Sequence, residues 1–107
     1  MNVLGLDIPD DWTVSYIRRH GEIVGATLVK GSELHCHRIK ASGMWITRQD
    51  IERTIQPIIE KHGYCTTKVR QSNTIGHAFV RRLGFVVTHS DSDCIHYKCE
   101  RLKHARL

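Results

Sequence analysis

The stretch Asn73–Phe85, NTIGHAFVRRLGF, decides the fold of this chain. Asn73 or Thr74 can cap the free N–H groups at the start of a helix, and Gly84 stands where a helix ends in a left-handed residue. Four apolar residues recur at helical spacing and form one stripe: Ile75, Phe79, Val80 and Leu83. The stretch therefore predicts a short amphipathic helix that packs its stripe on a core.

Upstream of this helix lies a second, stronger helical pattern. Thr47 followed by Asp50 has the form of a capping box with Asp in place of Glu. Pro57 removes one backbone donor and predicts a kink or the end of the regular part, and Gly63 predicts the stop. The core-facing stripe consists of Ile51, Ile55, Ile58 and Ile59.

Runs rich in β-branched and aromatic residues, separated by short turns, predict the strands. Three of them precede the first helix and predict an antiparallel meander: Thr13–Arg19, Glu22–Val29 and Glu33–Lys40. Three more follow: Tyr64–Arg70, Phe85–His89 and Cys94–Arg101. The order βββ-α-β-α-ββ predicts an α/β (α+β) fold with a mixed, mostly antiparallel sheet and two helices. We expect one domain over residues 1–107, with a short lead at 1–12 and a basic tail at 102–107.

Composition places few limits on function. The 107 residues are 40% hydrophobic and 25% charged, as in an ordinary globular protein, and no apolar run is long enough for a membrane span. The first twelve residues have no basic region, so no secretory signal is predicted and the cytoplasm is expected. The spacing of the four cysteines shows no disulfide framework, which favours free thiols. The net charge of +5 favours an anionic partner, although it also fits a basic surface without special purpose.

The helix stretch resembles the C-terminal signature of the GNAT superfamily of acyl-CoA N-acyltransferases. In that signature an Asn on a strand-to-helix turn precedes a small residue, a Tyr and a Gly-Phe stop. Here Asn73 is the Asn, Gly76 the small residue, and Leu83-Gly84-Phe85 the stop, while Val80 occupies the position of the Tyr. The predicted order also matches the family from its second strand onward, over about residues 13 to 101.

The resemblance implies acetyl-CoA as cofactor and transfer of its acetyl group to an amine of a small molecule or a protein. In the family a loop before the main helix holds the pyrophosphate on free N–H groups. Lys40 and Gly43 are placed on that loop, where Trp45 replaces a small residue. Asn73 and Gly76 are placed at the opened strand edge that receives the pantetheine arm.

Catalytic candidates follow from the same resemblance. Val80 cannot protonate the leaving thiolate. Tyr97 and Tyr64 lie on predicted strands and nothing in the sequence places either at the sulfur; Tyr97 is the first candidate for the acid. Glu33 and His35 lie on the strand that carries the general base in many relatives. His35 and His37 share a face of that strand and Cys36 points the other way; a surface or half-buried histidine pair without catalytic role is the more common explanation for them.

Two other kinds of site are disfavoured. Cys94, His96 and Cys99 are possible zinc ligands, but on one strand Cys99 points away from the other two, so no metal site is predicted. Arginines and lysines are scattered and no aromatic stacking platform is readable, so nucleic acid is not expected.

The short lead and the altered phosphate loop make the chain resemble a truncated GNAT domain. In layout it resembles the GNAT-like proteins of T7-type bacteriophages, some of which are described as internal virion proteins. The leading prediction is therefore an acetyl-CoA-dependent N-acetyltransferase, degenerate at two positions, with weak or absent activity. The rival is a non-catalytic protein of the same fold that binds a host or virion partner.

Overall fold

The computed structural model describes residues 1–38 and 47–103. The strands are β1 (Asn2–Val3), β2 (Leu6–Asp7), β3 (Thr13–Arg19), β4 (Glu22–Lys30), β5 (Glu33–Arg38), β6 (Cys65–Arg70), β7 (Val86–Ser90) and β8 (Cys94–Cys99). The helices are α1 (Arg48–His62) and α2 (Thr74–Leu83). Strands β3 to β8 form one sheet in the order β3-β4-β5-β6-β8-β7, in which only β5 and β6 pair in parallel. The predicted α/β class, the meander and the two helices are confirmed.

The lead is more structured than predicted. Residues 2–7 form a hairpin, β1–β2, whose turn places Leu4 and Gly5 at φ 51° and 89°. Two consecutive residues with positive φ match the twist of a two-residue hairpin. A leucine at the first of these positions gives no turn signal, which explains why the sequence missed it. Val3 is fully buried against Ala26 and Leu28 of β4, so the hairpin covers part of one sheet face.

Helix α1 forms as its sequence predicts. The Thr47 hydroxyl accepts the Asp50 N–H and the Asp50 carboxylate accepts the Thr47 N–H, which completes the capping box. The helix continues through Pro57 to His62, so Pro57 does not end it, and Gly63 caps it at φ 86°. The stripe is confirmed: Ile51, Ile55 and Ile58 are buried, and Ile59 packs partly buried against the same core.

Helix α2 has the predicted bounds but a rotated buried face. Asn73 caps its start and Gly84 ends it at φ 111°. Ile75 was predicted in the stripe, but it is 68% exposed, and His77 is buried in its place. Leu83 is buried, and Phe79 and Val80 pack partly buried against the core. The face actually buried runs 77–80–83, which is also a helical spacing.

The core lies between the helices and one face of the sheet. It joins the buried stripe of α1 to Leu34 of β5, Cys65 and Val69 of β6, and Tyr97 and Cys99 of β8. Because side chains alternate along a strand, the other face of the sheet carries the intervening residues. Within the described residues, no helix is long and apolar enough to cross a membrane.

Candidate functional site

The parallel pair β5 and β6 is the point where the sheet opens. Its described residues share a single register pair, Glu33 with Thr66, next to the bond from the Thr66 N–H to the Ser32 carbonyl at 2.8 Å. Beyond that pair, β5 continues against β4 and β6 against β8. Peptide groups on the facing edges of β5 and β6 are therefore not used in this ladder, and such groups can bind an extended ligand as another strand would. This opening lies where the resemblance implied an opened strand edge beside the Tyr64–Arg70 strand.

Asn73 and Gly76 lie together just after β6, at the start of α2. The Asn73 side chain accepts the Gly76 N–H at 2.9 Å, which confirms the predicted cap. A Cβ on Gly76 would lie 2.6 Å from Asn73 Nδ2 and 3.0 Å from a methyl group of Val69. Only glycine therefore allows the cap and β6 to approach this closely. Whether the two residues also contact a cofactor stays a prediction.

A buried histidine that the sequence analysis did not single out fixes the turn between β6 and α2. His77 Nε2 lies 2.9 Å from the Arg70 carbonyl, and His77 Nδ1 lies 2.7 Å from the Tyr97 hydroxyl. A carbonyl only accepts, so Nε2 carries the proton; in the neutral ring Nδ1 then accepts the Tyr97 O–H. The Asn73 N–H also donates to the Arg70 carbonyl, at 2.9 Å. His77 thus ties β8, the end of β6 and the cap of α2 together.

Tyr97, the candidate acid, is 1% exposed and its hydroxyl is engaged with His77. It lies on the helix-covered face, in register with Thr67 of β6. Glu33 and His35 lie on the opposite face, because His35 pairs with Leu28, whose side chain packs under the N-terminal hairpin. The structure therefore does not bring Tyr97 together with the two candidate bases, and its catalytic role stays a prediction.

Glu33 and His35 are brought together. His35 Nε2 lies 2.6 Å from Glu33 Oε2, and the His35 ring packs against the Trp12 ring in a tilted arrangement with centroids 5.4 Å apart. Both side chains are partly exposed, and Glu33 is the residue of β5 that pairs with Thr66 where the opening begins. A carboxylate within hydrogen-bond distance of an imidazole orients the ring, as a general base requires. His37 follows on the same face, as the alternation predicted.

The N-terminus of α1 already holds a carboxylate of the chain. Asp50 accepts the Thr47 N–H at 2.8 Å and pairs with Arg19, which also reaches the Thr47 hydroxyl. Partial burial acts to raise the pKa of Asp50, but these hydrogen bonds and the Arg19 charge outweigh it, so the pKa lies below its ordinary value. The preceding loop, with Lys40, Gly43 and Trp45, lies outside the described residues.

The possible metal ligands remain separate. Among the described residues, no group of three His, Cys, Asp or Glu side chains is arranged to hold a metal ion. Cys99 is buried on the helix side, whereas His96 faces the other way and contacts Asp91 at 2.7 Å. All four cysteines are free thiols, and burial raises the pKa of Cys65 to about 12.

Comparison with known proteins identifies the fold to which this arrangement of strands and helices belongs. No family model and no curated protein sequence matches the chain. Among solved structures, the chain is similar to the PaiA N-acetyltransferase from Thermoplasma acidophilum, solved in complex with coenzyme A, with a TM-score of 0.61 and 18% identity over 83% of this chain. It is also similar to the ribosomal-protein-S18-alanine N-acetyltransferase from Escherichia coli, with a TM-score of 0.55 and 16% identity over 94% of this chain. The chain spans 60% of the first protein and 76% of the second. It has the GNAT fold.

Proposed function

We propose that this chain binds a CoA-type cofactor, acetyl-CoA, in the opening between β5 and β6. We further propose that it catalyses transfer of the acetyl group to an amine at a low rate. The observation that supports this most is that the described residues of β5 and β6 share a single parallel register pair, Glu33 with Thr66, beyond which their ladder stops. Gly76, at which an added Cβ would clash with Asn73 and Val69, lies just after the opposite, C-terminal end of β6. A known structural neighbour, the Thermoplasma protein, was solved with coenzyme A.

The described residues fit such a cofactor in part. The opening offers strand edges for an extended amide-containing arm, and α2 begins beside it at Asn73. Acetyl-CoA, when bound, supplies an acetyl group activated as a thioester. At the N-terminus of α1 the fit is poorer, because the Asp50 carboxylate lies where an anion would otherwise gain from the helix dipole. This carboxylate predicts weak binding of phosphates there.

In the proposed reaction, the amine nitrogen forms a bond to the acetyl carbon while the carbon–sulfur bond breaks. Glu33 and His35 would take the proton that the amine gives up, since the pair is partly exposed and lies at the start of the opening. The sulfur would depart as a thiolate and take its proton from solvent, because Val80 cannot give one. Val80 is partly buried against the core. General acid help is worth about 10²–10⁴ in rate, so its absence predicts slow turnover.

The test begins with binding. A ligand that binds only the native state at ten times its Kd stabilises by about 1.4 kcal/mol, which is about 6–11 °C in Tm for a domain of this size. We expect acetyl-CoA to raise Tm, and Gly76→Ala, which displaces Asn73, to reduce that rise. Adenosine alone serves as the ligand control, since it lacks the extended arm.

Turnover is then measured as thiol release with polyamine, peptide and aminoglycoside acceptors. We expect weak or no activity, and a gain in Val80→Tyr if that variant keeps its Tm, because a larger side chain at a partly packed site risks strain. If acetyl-CoA leaves Tm unchanged at millimolar concentration, the proposal is wrong. A non-catalytic binding protein of the same fold then becomes the better hypothesis.

A further inference from the structure

The sheet face away from the helices is covered over only part of its width. The N-terminal hairpin and Trp12 pack on β3 and β4 through a cluster that includes Ala26 and Leu28. Farther along, on β6 and β8, this face presents polar side chains, among them the exposed Lys68 and Arg70 of β6, while β7 adds the exposed Val86 beside Lys98. None of the described elements packs over Lys68 or Arg70. The second half of the face is therefore open to a partner.

Cations that are far apart in sequence meet on this open face. Lys68 pairs in register with His96, and Thr66 with Lys98, so the three basic residues stand on the same side of β6 and β8. Arg70 lies two residues beyond Lys68, on the same face. Side chains directly opposite each other in a sheet have Cβ atoms about 4.5–5.5 Å apart. We call Lys68, Arg70, His96 and Lys98 the basic face.

Two acidic residues near the basic face, Asp91 and Glu33, already have partners. Asp91 contacts His96 at 2.7 Å and also accepts two backbone N–H groups of its own turn. Glu33, at the other side, contacts His35 at 2.6 Å. Within the described residues, Lys68 and Arg70 form no ion pair. The face therefore keeps at least two cations available to an anionic partner, in a chain whose formal charge is already +5.

We propose that the basic face binds an acidic polypeptide segment in an extended conformation. Lys68 and Arg70 are two residues apart on a strand, about 6.6 Å, which is also the separation of alternate side chains on an extended peptide. Carboxylates at alternate positions of such a segment would meet the two cations in register. This inference goes beyond the proposed acetyl transfer, because it needs neither CoA nor catalysis.

Single-stranded nucleic acid fits the basic face less well. Binding of single strands relies on aromatic side chains on which successive bases stack. The described aromatic rings at the basic face are Tyr64, with the Lys98 ammonium 5.0 Å from its centroid, and the imidazoles of His89 and His96, which stack on each other with centroids 4.1 Å apart. Because each of these rings is already in contact with a neighbour, the charges are the more available feature of the basic face, which favours carboxylates over bases.

The test uses fluorescence anisotropy with a short labelled peptide of alternating glutamate and glycine. Its controls are the matching glutamine–glycine peptide and an oligothymidylate of similar length. The Lys68→Gln/Arg70→Gln protein is compared with Lys61→Gln/Arg82→Gln, which removes the same two residue types from exposed positions on the helices. Should the first pair lower Tm, Lys68→Gln is compared with Lys61→Gln instead.

We expect the glutamate peptide to bind and the glutamine peptide not to bind. Lys68→Gln/Arg70→Gln removes two exposed ion pairs with the peptide, which should weaken binding about 2- to 30-fold. Lys61→Gln/Arg82→Gln should weaken binding less than twofold. An equal loss in both variants would show that net charge alone attracts the peptide, and it would overturn the proposal. So would no binding, or tighter binding of the oligothymidylate. A Tm rise with acetyl-CoA is unaffected by any of these outcomes, so the two proposals fail separately.

Discussion

The hydrogen bond between Tyr97 and His77 gives the sharpest test of how the turn at the end of β6 is held. The Tyr97 hydroxyl lies 2.7 Å from His77 Nδ1, and the two residues are 1% and 9% exposed. Tyr97→Phe removes the donor and leaves Nδ1 buried without a partner, which costs about 1–3 kcal/mol. His77→Leu removes the acceptor and leaves the Tyr97 hydroxyl unpaired, at a similar cost. In a domain of this size, 1 kcal/mol lowers Tm by about 4–8 °C.

The double variant Tyr97→Phe/His77→Leu separates this bond from ordinary packing. It replaces both partners by apolar groups, so it should cost less than the sum of the single variants, with a coupling of about 0.5–3 kcal/mol. Urea unfolding measures all three, and Tyr64→Phe, at a 38% exposed tyrosine, is the control and should stay within about 0.5 kcal/mol. Additive losses, or a Tyr97→Phe loss no larger than that of the control, would refute the arrangement. A fall in acetyl-CoA turnover larger than stability explains would instead support Tyr97 as the acid.

Three further variants test the core, the cap and the acid stability. Ile55→Ala, at a side chain that is 0% exposed, should lower the free energy of unfolding by about 2–5 kcal/mol, and a change within 0.5 kcal/mol would contradict the packing of α1. Asn73→Ala should cost about 0.5–2 kcal/mol as a lost cap, and a larger fall in CoA affinity than in stability would add Asn73 to the cofactor site. The pKa of Asp50 is lowered in the folded state, so its contribution is complete above its unfolded value near 4 and is lost as the pH falls through the lower folded value. Asp50→Asn should therefore unfold more easily at neutral pH and lose stability less steeply below pH 4 than the parent; an identical acid profile would contradict this.

The helices could be predicted because their signals are local. Thr47, Asp50 and Gly63 lie within the segment that they begin or end, and the capping box and the left-handed cap form as their residue types predict. The hairpin β1–β2 could not be predicted, since it depends on Val3 finding a fully buried place against β4. A two-residue strand has no pattern of its own, and only the tertiary contact stabilises it.

The exchange of Ile75 for His77 shows why the candidate site was only partly predicted. Apolar periodicity ranks isoleucine above histidine for burial, and Ile75 is compatible with a helical stripe. What decides the outcome is a pair of partners elsewhere in the chain, the Arg70 carbonyl and the Tyr97 hydroxyl, which satisfy both ring nitrogens of His77. A buried polar side chain is tolerated only with such partners, and partners distant in sequence leave no local signal. Tyr97 was singled out for its chemistry, whereas its position depends on the residue that the periodicity passed over.

The two faces of the sheet carry different groups of residues: those that fix the end of β6 lie on the helix side, and the candidate base and the basic face lie on the other side. On the helix side, His77 and the Gly76 contact with Asn73 fix the end of β6, so that the opening beside β5 has one rigid edge. On the other side, Glu33 and His35 lie at the start of that opening, and Lys68 and Arg70 follow along β6. An extended acidic segment on Lys68 and Arg70 would run along the strand whose neighbour carries Glu33 and His35. If both proposals hold, an amine on that segment would lie near the candidate base. Acceptor peptides with glutamates beside the amine should then be acetylated faster than neutral ones, and Lys68→Gln should remove the difference through KM rather than kcat.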